Sequence, residues 1–507
     1  MKRLLISFSI VIASFLLFVV GMGVILALAP GSRIFGVSYV SAIVGKNQVI
    51  KEWNDYIEGD IQINAEKVPV IIEVLPYTQT KVTFTQLYSG YTTNESRVPD
   101  AEIERTADGI SVKTHEISRF LIGSNREFSL VVQIPLEWAR SGRHSISVYA
   151  ENSDVTLTVK DSAADVELNF DNLVFNGNGK LSVDCAVKAN NLDLTTTNDF
   201  ELGEKLSANN VKFKTTSANL TIKKAIEGDI EFSSTRGNLK FVSALNVKAQ
   251  TTSGSILPFE ETNLILNSCE ISTRSGKISV SEVLGVNQSS VSTNSGKITL
   301  KNVNNAKISS PRGKIEIETI KLGEINGGTR EISVKNVLTS LEVNSKQGDV
   351  NIGTSAGACV VKSVKVNSTS GEISVYNPTG EVNLTSTNAN ILLMNNSATK
   401  IDVSCGKNLV AHGLSGLVNV YAKKNITLSI ARLDADVNIT GGQDSREINV
   451  SAQEKAENVN YSLTLTKKGS AKVFAGQEQV GASSAPESAK KINISAQKCD
   501  INLYLGK

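Results

Sequence analysis

Between Leu245 and Val334 one short phrase recurs. Thr251-Thr-Ser-Gly-Ser-Ile256, Thr273-Arg-Ser-Gly-Lys-Ile278, Thr293-Asn-Ser-Gly-Lys-Ile298 and Ser310-Pro-Arg-Gly-Lys-Ile315 follow one another, and Thr329-Arg-Glu-Ile332 is a worn fifth copy. Alternating apolar residues lead into each phrase (Leu245, Val247, Ala249) and out of it (Ile278 and Val280, Ile315 and Ile317). Each unit is therefore a strand, a polar turn with glycine, and a second strand. Aligning the glycine or its substitute gives Gly179, Asn198, Asn219, Gly237, Gly254, Gly276, Gly296, Gly313, Arg330, Gly348, Gly371, Asn390 and Gly406, a period of about 19 residues. The unit has no helical segment, which excludes tetratricopeptide, ankyrin and leucine-rich repeats, and it is too short for a propeller blade of about 40–45 residues. The pattern predicts an all-β chain, a parallel β-solenoid (β-helix) of about 13 or more coils.

That geometry assigns a task to each residue type. Glycine, or Asn, is expected where the chain turns with positive φ. The preceding Ser or Thr is placed to bond the turn backbone. Pairs such as Leu220/Ile222, Ile298/Leu300, Val382/Leu384 and Val437/Ile439 are expected to stack as apolar ladders, while Ser279, Thr299, Glu316 and Ser333 point outward.

The flanks differ from the repeats. Lys2 and Arg3 precede an uncharged apolar run at 4–29, longer than the roughly 20 residues that span a bilayer as a helix. This predicts one N-terminal transmembrane helix with 1–3 cytoplasmic and the bulk of the chain extracytoplasmic. The alternative is secretion after signal cleavage at Ala27-Leu-Ala29. Residues 30–59 form a juxtamembrane segment. Its apolar residues from Tyr39 to Ile57 are at roughly helical spacing, which predicts a short amphipathic juxtamembrane helix, with Trp53 either at the bilayer interface or packed on the next domain. Residues 60–150 read as a β-rich N-terminal domain, a small antiparallel sheet leading into the coils. The repeats occupy 151–452. A C-terminal cap follows at 453–507, with a flexible loop at 467–490 rich in Gly, Ser, Ala and Lys.

Composition narrows the function. A net charge of +2 argues against nucleic acid as a partner. The five cysteines (Cys185, Cys269, Cys359, Cys405, Cys499) show no CxxC spacing and read as small buried residues. The three histidines, His115, His144 and His412, lie far apart, and no cofactor motif occurs. Asp434-Ala-Asp436 is the nearest approach to a carboxylate pair. The feature that points outward is basic. Lys277, Lys297 and Lys314 follow the turn glycine in three successive coils, flanked by Arg274 and Arg312. Such a ladder suits an anionic ligand such as lipid headgroups or a phosphate-bearing cell-surface polymer. Against it, Glu316 and Glu331 are placed to balance the lysines, and the ladder position becomes Asp349, Glu372 and Glu381 further on.

The turn Thr273 to Val280, the run Leu130-Val-Val-Gln-Ile-Pro135, and Ser145-Ile-Ser-Val-Tyr149 followed by Asn152-Ser-Asp-Val155 resemble a bacterial adhesin-type family of unknown function with β-helix repeats. The resemblance covers roughly residues 60–450. It implies an exported, often membrane-tethered surface protein with no catalytic residues, and some relatives act in envelope-stress sensing. The resulting expectation is a membrane-anchored solenoid at the cell surface with a structural or adhesive role. Stress sensing, or regulatory contact with a protein partner, is the alternative, and a carbohydrate-active enzyme is a third.

Overall fold

A computed structural model of the protein describes residues 12–20, 33–34, 37–38, 48–55, 59–75, 82–89, 101–114, 127–160, 166–260, 263–355, 359–481 and 485–506. The fold is an all-β parallel β-solenoid of about 15 turns. The chain divides into two compact units, Met1–Ala218 and Asn219–Lys507.

In the first unit the parallel stack begins with Asp60–Glu66 and Val70–Leu75, which form two sides of one coil. Asp60–Glu66 pairs in parallel with Ile146–Glu151, which pairs with Glu167–Gly177 and onward to Ala186–Thr196 and Leu206–Lys214. Val70–Leu75 pairs in parallel with Val155–Val159, which pairs with Leu181–Val183. The small antiparallel sheet expected here is thus replaced in the main by parallel rungs. The reason lies in the turn. Lys67 adopts φ 55° and its N–H bonds the Glu151 carbonyl at 2.9 Å. The chain therefore corners onto a second face, and each strand finds its partner in another coil instead of in the next strand. Antiparallel pairing is confined to the outer margin. Glu102–Arg105 lies on Gly109–Lys113, Val82–Ser89 on Glu127–Pro135, and Gln48–Asp55 on Val82–Ser89. These strands cover backbone edges that a terminal coil would leave unpaired.

Gln48–Asp55 is therefore a strand and not part of the expected juxtamembrane helix. Pairing with Val82–Ser89 supplies backbone partners that a short helix would lack, and Trp53 sets its ring 5.4 Å from that of Phe84. Residues 12–20 are helical, with apolar side chains exposed. Among the described residues no helix is long and apolar enough to cross a membrane. The remainder of the 4–29 run lies outside the described residues.

The second unit carries the repeated turns. One aliphatic column runs through Leu220, Leu239, Ile256, Ile278, Ile298, Ile315, Ile332, Val350, Ile373, Ile391, Leu409, Ile426, Ile448 and Ile501 in unbroken parallel register. All are buried. A second face carries its own column, in which Val364, Val382, Ile401, Val418, Val437 and Ile492 are successive partners. Val382/Leu384 and Val437/Ile439 belong to this face, although their alternation is the same. The expected flexible loop at 467–490 contains two strands instead. Ser470–Ala475 pairs in parallel with Asp500–Leu505 and folds back as a hairpin onto Glu478–Val480.

Between the two faces sits the turn, and here the glycines have a different task from the one expected. Gly254, Gly276, Gly296 and Gly313 do not have positive φ. A Cβ on Gly276 would lie 1.7 Å from the Gly254 carbonyl oxygen, and on Gly296 and Gly313 it would lie 1.8 Å from the Gly276 and Gly296 oxygens. Close backbone approach, not handedness, demands glycine. The hydroxyl three residues earlier completes the joint. Thr273 Oγ1 accepts from the Gly276 N–H at 3.0 Å and donates to the Gly254 carbonyl at 3.2 Å. Ser310 does the same for Gly313 (3.0 Å) and Gly296 (3.3 Å). Ala218 and Ala389 make the same N–H contact to Thr215 and Ser386, so the aligned Asn219 and Asn390 each fall one residue past the glycine position.

Gly276→Ala is expected to lower stability by about 2–4 kcal/mol, because the clash is with backbone that side-chain rotation cannot relieve. Thr273→Val is expected to cost about 1–3 kcal/mol by stranding a buried N–H. Denaturant midpoints of the purified protein check both, and an unchanged midpoint for Gly276→Ala would show that the coils separate freely at the turn.

Candidate functional site

The turn edge of the second unit contains every residue singled out for anionic ligands. Two parallel rows run along it. The inner row is the residue just before the aliphatic column. Its carbonyls accept successive rung bonds: Ile256 N–H to Lys277, Ile278 to Lys297, Ile298 to Lys314, Ile315 to Glu331, Ile332 to Asp349 and Val350 to Glu372, at 2.8–3.1 Å. Lys277, Lys297 and Lys314 therefore do stand on adjacent rungs, as the repeat alignment requires.

They do not form a free basic ladder. Lys297 Nζ lies 2.6 Å from Glu316 Oε2, Lys314 Nζ lies 3.0 Å from Glu316 Oε1, and Lys314 Nζ lies 2.9 Å from Glu331 Oε2. Two lysines and two glutamates thus alternate as a zipper across the rungs. Its electrostatics follow from the contacts. Hydrogen bonding to Lys297, and then to Lys314, holds the Glu316 carboxyl below the usual range. Hydrogen bonding to Lys314 does the same for Glu331, and Glu331 with Glu316 raises the Lys314 ammonium. Lys277 makes no ion pair among the described residues.

Either side of the zipper, the inner row is held by amides and carboxylates. Asn219 Oδ1 accepts from the Asn238 N–H (2.9 Å) and Nδ2 (2.8 Å). Asn238 Oδ1 accepts from the Ser255 N–H at 2.7 Å, and Ser255 Oγ accepts from the Lys277 N–H at 3.1 Å. Further along, Asp349 accepts from the Glu372 N–H at 2.9 Å and Glu372 from Asn390 Nδ2 at 2.7 Å. Each side chain here bonds the coil beyond it.

The outer row is the apex of the turn. Asn294 N–H bonds the Arg274 carbonyl (3.1 Å) and Arg312 N–H bonds the Asn294 carbonyl (2.9 Å), so Arg274 and Arg312 are two rungs apart with Asn294 between them. Extending the row adds Arg236, one residue before its glycine as Arg312 is, and Lys346, two before its glycine as Arg274 is; Arg330 takes the glycine position of its own coil, beside the row. All five side chains are exposed, and none makes an ion pair among the described residues. Apex positions 235–236, 252–253, 274–275, 294–295, 311–312, 329–330 and 346–347 contain no carboxylate. Their neutral members bind the stack together. Ser253, Ser275 and Ser295 each donate a hydroxyl to a carbonyl one coil back at 3.3–3.4 Å.

Near the other end of this unit the edge opens into a cleft of about 840 Å³ whose lining includes Lys424, Arg446, Lys468 and Lys498. Two carboxylates line it as well. Asp444 lies 3.2 Å from Lys423, and Asp500 accepts from Ser470 Oγ at 2.7 Å.

The remaining sequence candidates are held locally. Asp434 pairs with Arg432 at 2.6 Å, while Asp436 accepts from the Lys491 N–H at 2.9 Å, so the two carboxylates serve separate contacts. His412 lies in the rung paired with Ile426–Ile430, beside Gly413 at φ 75°. His144 stacks on Trp138 with ring centroids 4.6 Å apart. His115 lies outside the described residues. No group of three or more His, Cys, Asp or Glu among the described residues could hold a metal ion. Burial pushes the Cys269 thiol up to about 12 and the Cys185 thiol up to about 11, which leaves both as poor nucleophiles near neutral pH.

With this geometry in place, residues 257–503 match the Toastrack DUF4097 family. The match and the solenoid fit a β-helix family of unknown function, and they give no support for adhesion as such. No curated protein and no solved structure matches the chain.

Removing the centre of the zipper with Glu316→Gln leaves Lys297 and Lys314 facing each other. The expected loss is up to about 1 kcal/mol at low salt, since the groups are partly exposed, and it should shrink on raising the ionic strength. Glu316 and Glu331 have depressed folded-state pKa values. Their contribution is present above the ordinary carboxylate value and is lost as pH falls through the folded value. Lys314, being raised, contributes below its ordinary value and loses that contribution only as pH rises through its folded value. Thermal midpoints of the unaltered protein and Glu316→Gln should therefore converge as the Glu316 carboxyl takes up its proton in acid; a difference that does not narrow at all on acidification would point to packing instead of charge.

Proposed function

We propose that this chain is a membrane-anchored, extracytoplasmic solenoid with a structural or adhesive role and no catalytic step, and that its turn edge is the surface it presents. The observation that supports this most strongly is how the edge is built. Nearly every polar side chain of the inner row is committed to the next coil, through the Asn219–Asn238–Ser255 chain, the lysine–glutamate zipper and the Asp349–Glu372–Asn390 chain. Side chains fixed in this way rigidify a scaffold. The apex residues outside that row are left to face a partner. Anchoring is supported by the charge-free run at 4–29 behind Lys2 and Arg3.

The reading is tested with a cysteine placed on the apex, Ser295→Cys, in the full-length chain expressed in cells. A membrane-impermeant maleimide should label it in intact cells well above the unaltered protein, and deletion of 4–29 should abolish its recovery with washed membranes. Labelling that appears only after lysis would sink the exterior placement. A regulatory or sensing role would instead show itself as a transcriptional response that depends on residues 1–3, which a purely structural or adhesive protein does not require.

A further inference from the structure

We propose that the apex row of the second unit is a track for a linear polyanion bearing phosphate or carboxylate groups, laid along the stack and crossing its rungs. The proposal rests on the binding-scaffold reading above and names the ligand class of that same edge.

Four observations carry it. First, Arg236, Arg274 and Arg312 recur on every second rung, and Arg330, beside the row, and Lys346 follow on the next two rungs. At about 4.8 Å per rung the first three stand about 10 Å apart. Second, these cations are exposed and make no ion pair among the described residues, whereas Lys297 and Lys314 of the inner row are already neutralised by Glu316 and Glu331. The fold thus pairs the lysines that point along the strand face and leaves the arginines at the apex unpaired. Third, the residues between the arginines are hydroxyls and amides: Thr252, Ser253, Ser275, Asn294 and Ser295. They add hydrogen-bonding capacity without opposing charge. Fourth, Lys277, which is also exposed and without an ion pair among the described residues, lies beside Arg274 and widens the positive field there.

The shape of the row selects the ligand. It is narrow and long, one or two side chains wide and several rungs deep, so it matches a line of charges better than a single anion. The stacked turns are held by rung-to-rung backbone bonds, so the guanidinium groups are presented at fixed intervals without a folding cost on binding. Arginine is suited to the task because its planar fork engages carboxylate or phosphate oxygens in pairs. A membrane surface would be expected to require a broad basic face, but the inner row turns acidic at Glu331, Asp349 and Glu372 alongside Arg330 and Lys346.

The test uses full-length protein with three probes: long-chain inorganic polyphosphate, polyglutamate, and vesicles containing phosphatidylglycerol. Polyphosphate or polyglutamate, or both, should bind with an affinity that falls as salt rises, and the pair tells phosphate from carboxylate preference. The triple variant Arg236→Gln, Arg274→Gln, Arg312→Gln should weaken that binding at least about tenfold and flatten the log–log salt slope by about 2, the value for three lost phosphate contacts. Lys301→Gln, Lys321→Gln, Lys362→Gln removes the same charge from exposed positions off the edge and should change affinity less than about twofold. Arg→Lys at the three apex sites should restore the salt slope and part of the affinity, since it keeps the charge but not the paired contacts, and this also guards against loss through misfolding. The track is overturned if neither polymer binds, if the two Gln triples weaken binding alike, or if only vesicles bind in an arginine-dependent way. None of these outcomes touches the exterior, anchored placement, which the maleimide experiment decides separately.

Discussion

At the turns of Gly254, Gly276, Gly296 and Gly313, the carbonyl oxygen of the preceding coil's glycine occupies the space that a Cβ would need. Much else follows from that approach. Two coils this close must join their polar groups directly, so a buried Thr or Ser sits three residues upstream, taking the glycine N–H and giving its own proton to the carbonyl behind. With the turns locked, the residues on either side fall into fixed register, and the aliphatic column from Leu220 to Ile501 stacks without a slip. A one-residue slip in any coil would turn its apolar residues outward. The glycine–hydroxyl joint is therefore both a spacer and a register key.

The same joint explains the distribution of charge. Because consecutive turns are bonded rung to rung, equivalent residues of different coils become neighbours. Like charges on adjacent rungs repel, and the sequence answers in two ways. Along the inner row it places Glu316 on the strand face between Lys297 and Lys314, then switches the row itself to Glu331. Along the apex it spaces Arg236, Arg274 and Arg312 with Ser253 and Asn294 between them, while Arg330 and Lys346 follow on adjacent rungs. The first arrangement cancels charge and the second preserves it.

Much of the architecture could be read from the sequence, because hydrophobic alternation and a fixed period translate directly into stacked strands. The Ile278/Val280 and Ile315/Ile317 pairs stand where the alternation puts them, and Lys277, Lys297 and Lys314 do lie on adjacent rungs. What could not be read was anything decided between coils. Positive φ and close backbone approach both select glycine, and a single chain of letters does not distinguish them. Parallel and antiparallel pairing share one alternation pattern, so the strands between Asp60 and Ile134 gave no sign that each would corner onto a second face. Gln48–Asp55 carries apolar residues at a spacing that also suits a helix, and a partner distant in sequence, Val82–Ser89, decides the matter. The apex arginines were half visible. Arg274, Arg312 and Arg330 lie inside copies of the repeated phrase, whereas Arg236 and Lys346 join them only once the turns are superposed in space.

The order of strands at the margins differs from the order in the chain. Lys491–Ala496 lies between Val437–Gly441 and Asn460–Leu465, and Asp500–Leu505 lies between Glu447–Ala452 and Ser470–Ala475. In the first unit, Asp60–Glu66 is likewise enclosed by Gly109–Lys113 and Ile146–Glu151, both later in sequence. A stack of repeats is usually pictured as growing one neighbour at a time along the chain. Here that route fails at both margins. At the C-terminal margin Asn460–Leu465 and Ser470–Ala475 have no coil to pair with until Lys491–Ala496 and Asp500–Leu505 have docked, so the last rungs there form together; in the first unit the later strands add to either side of Asp60–Glu66.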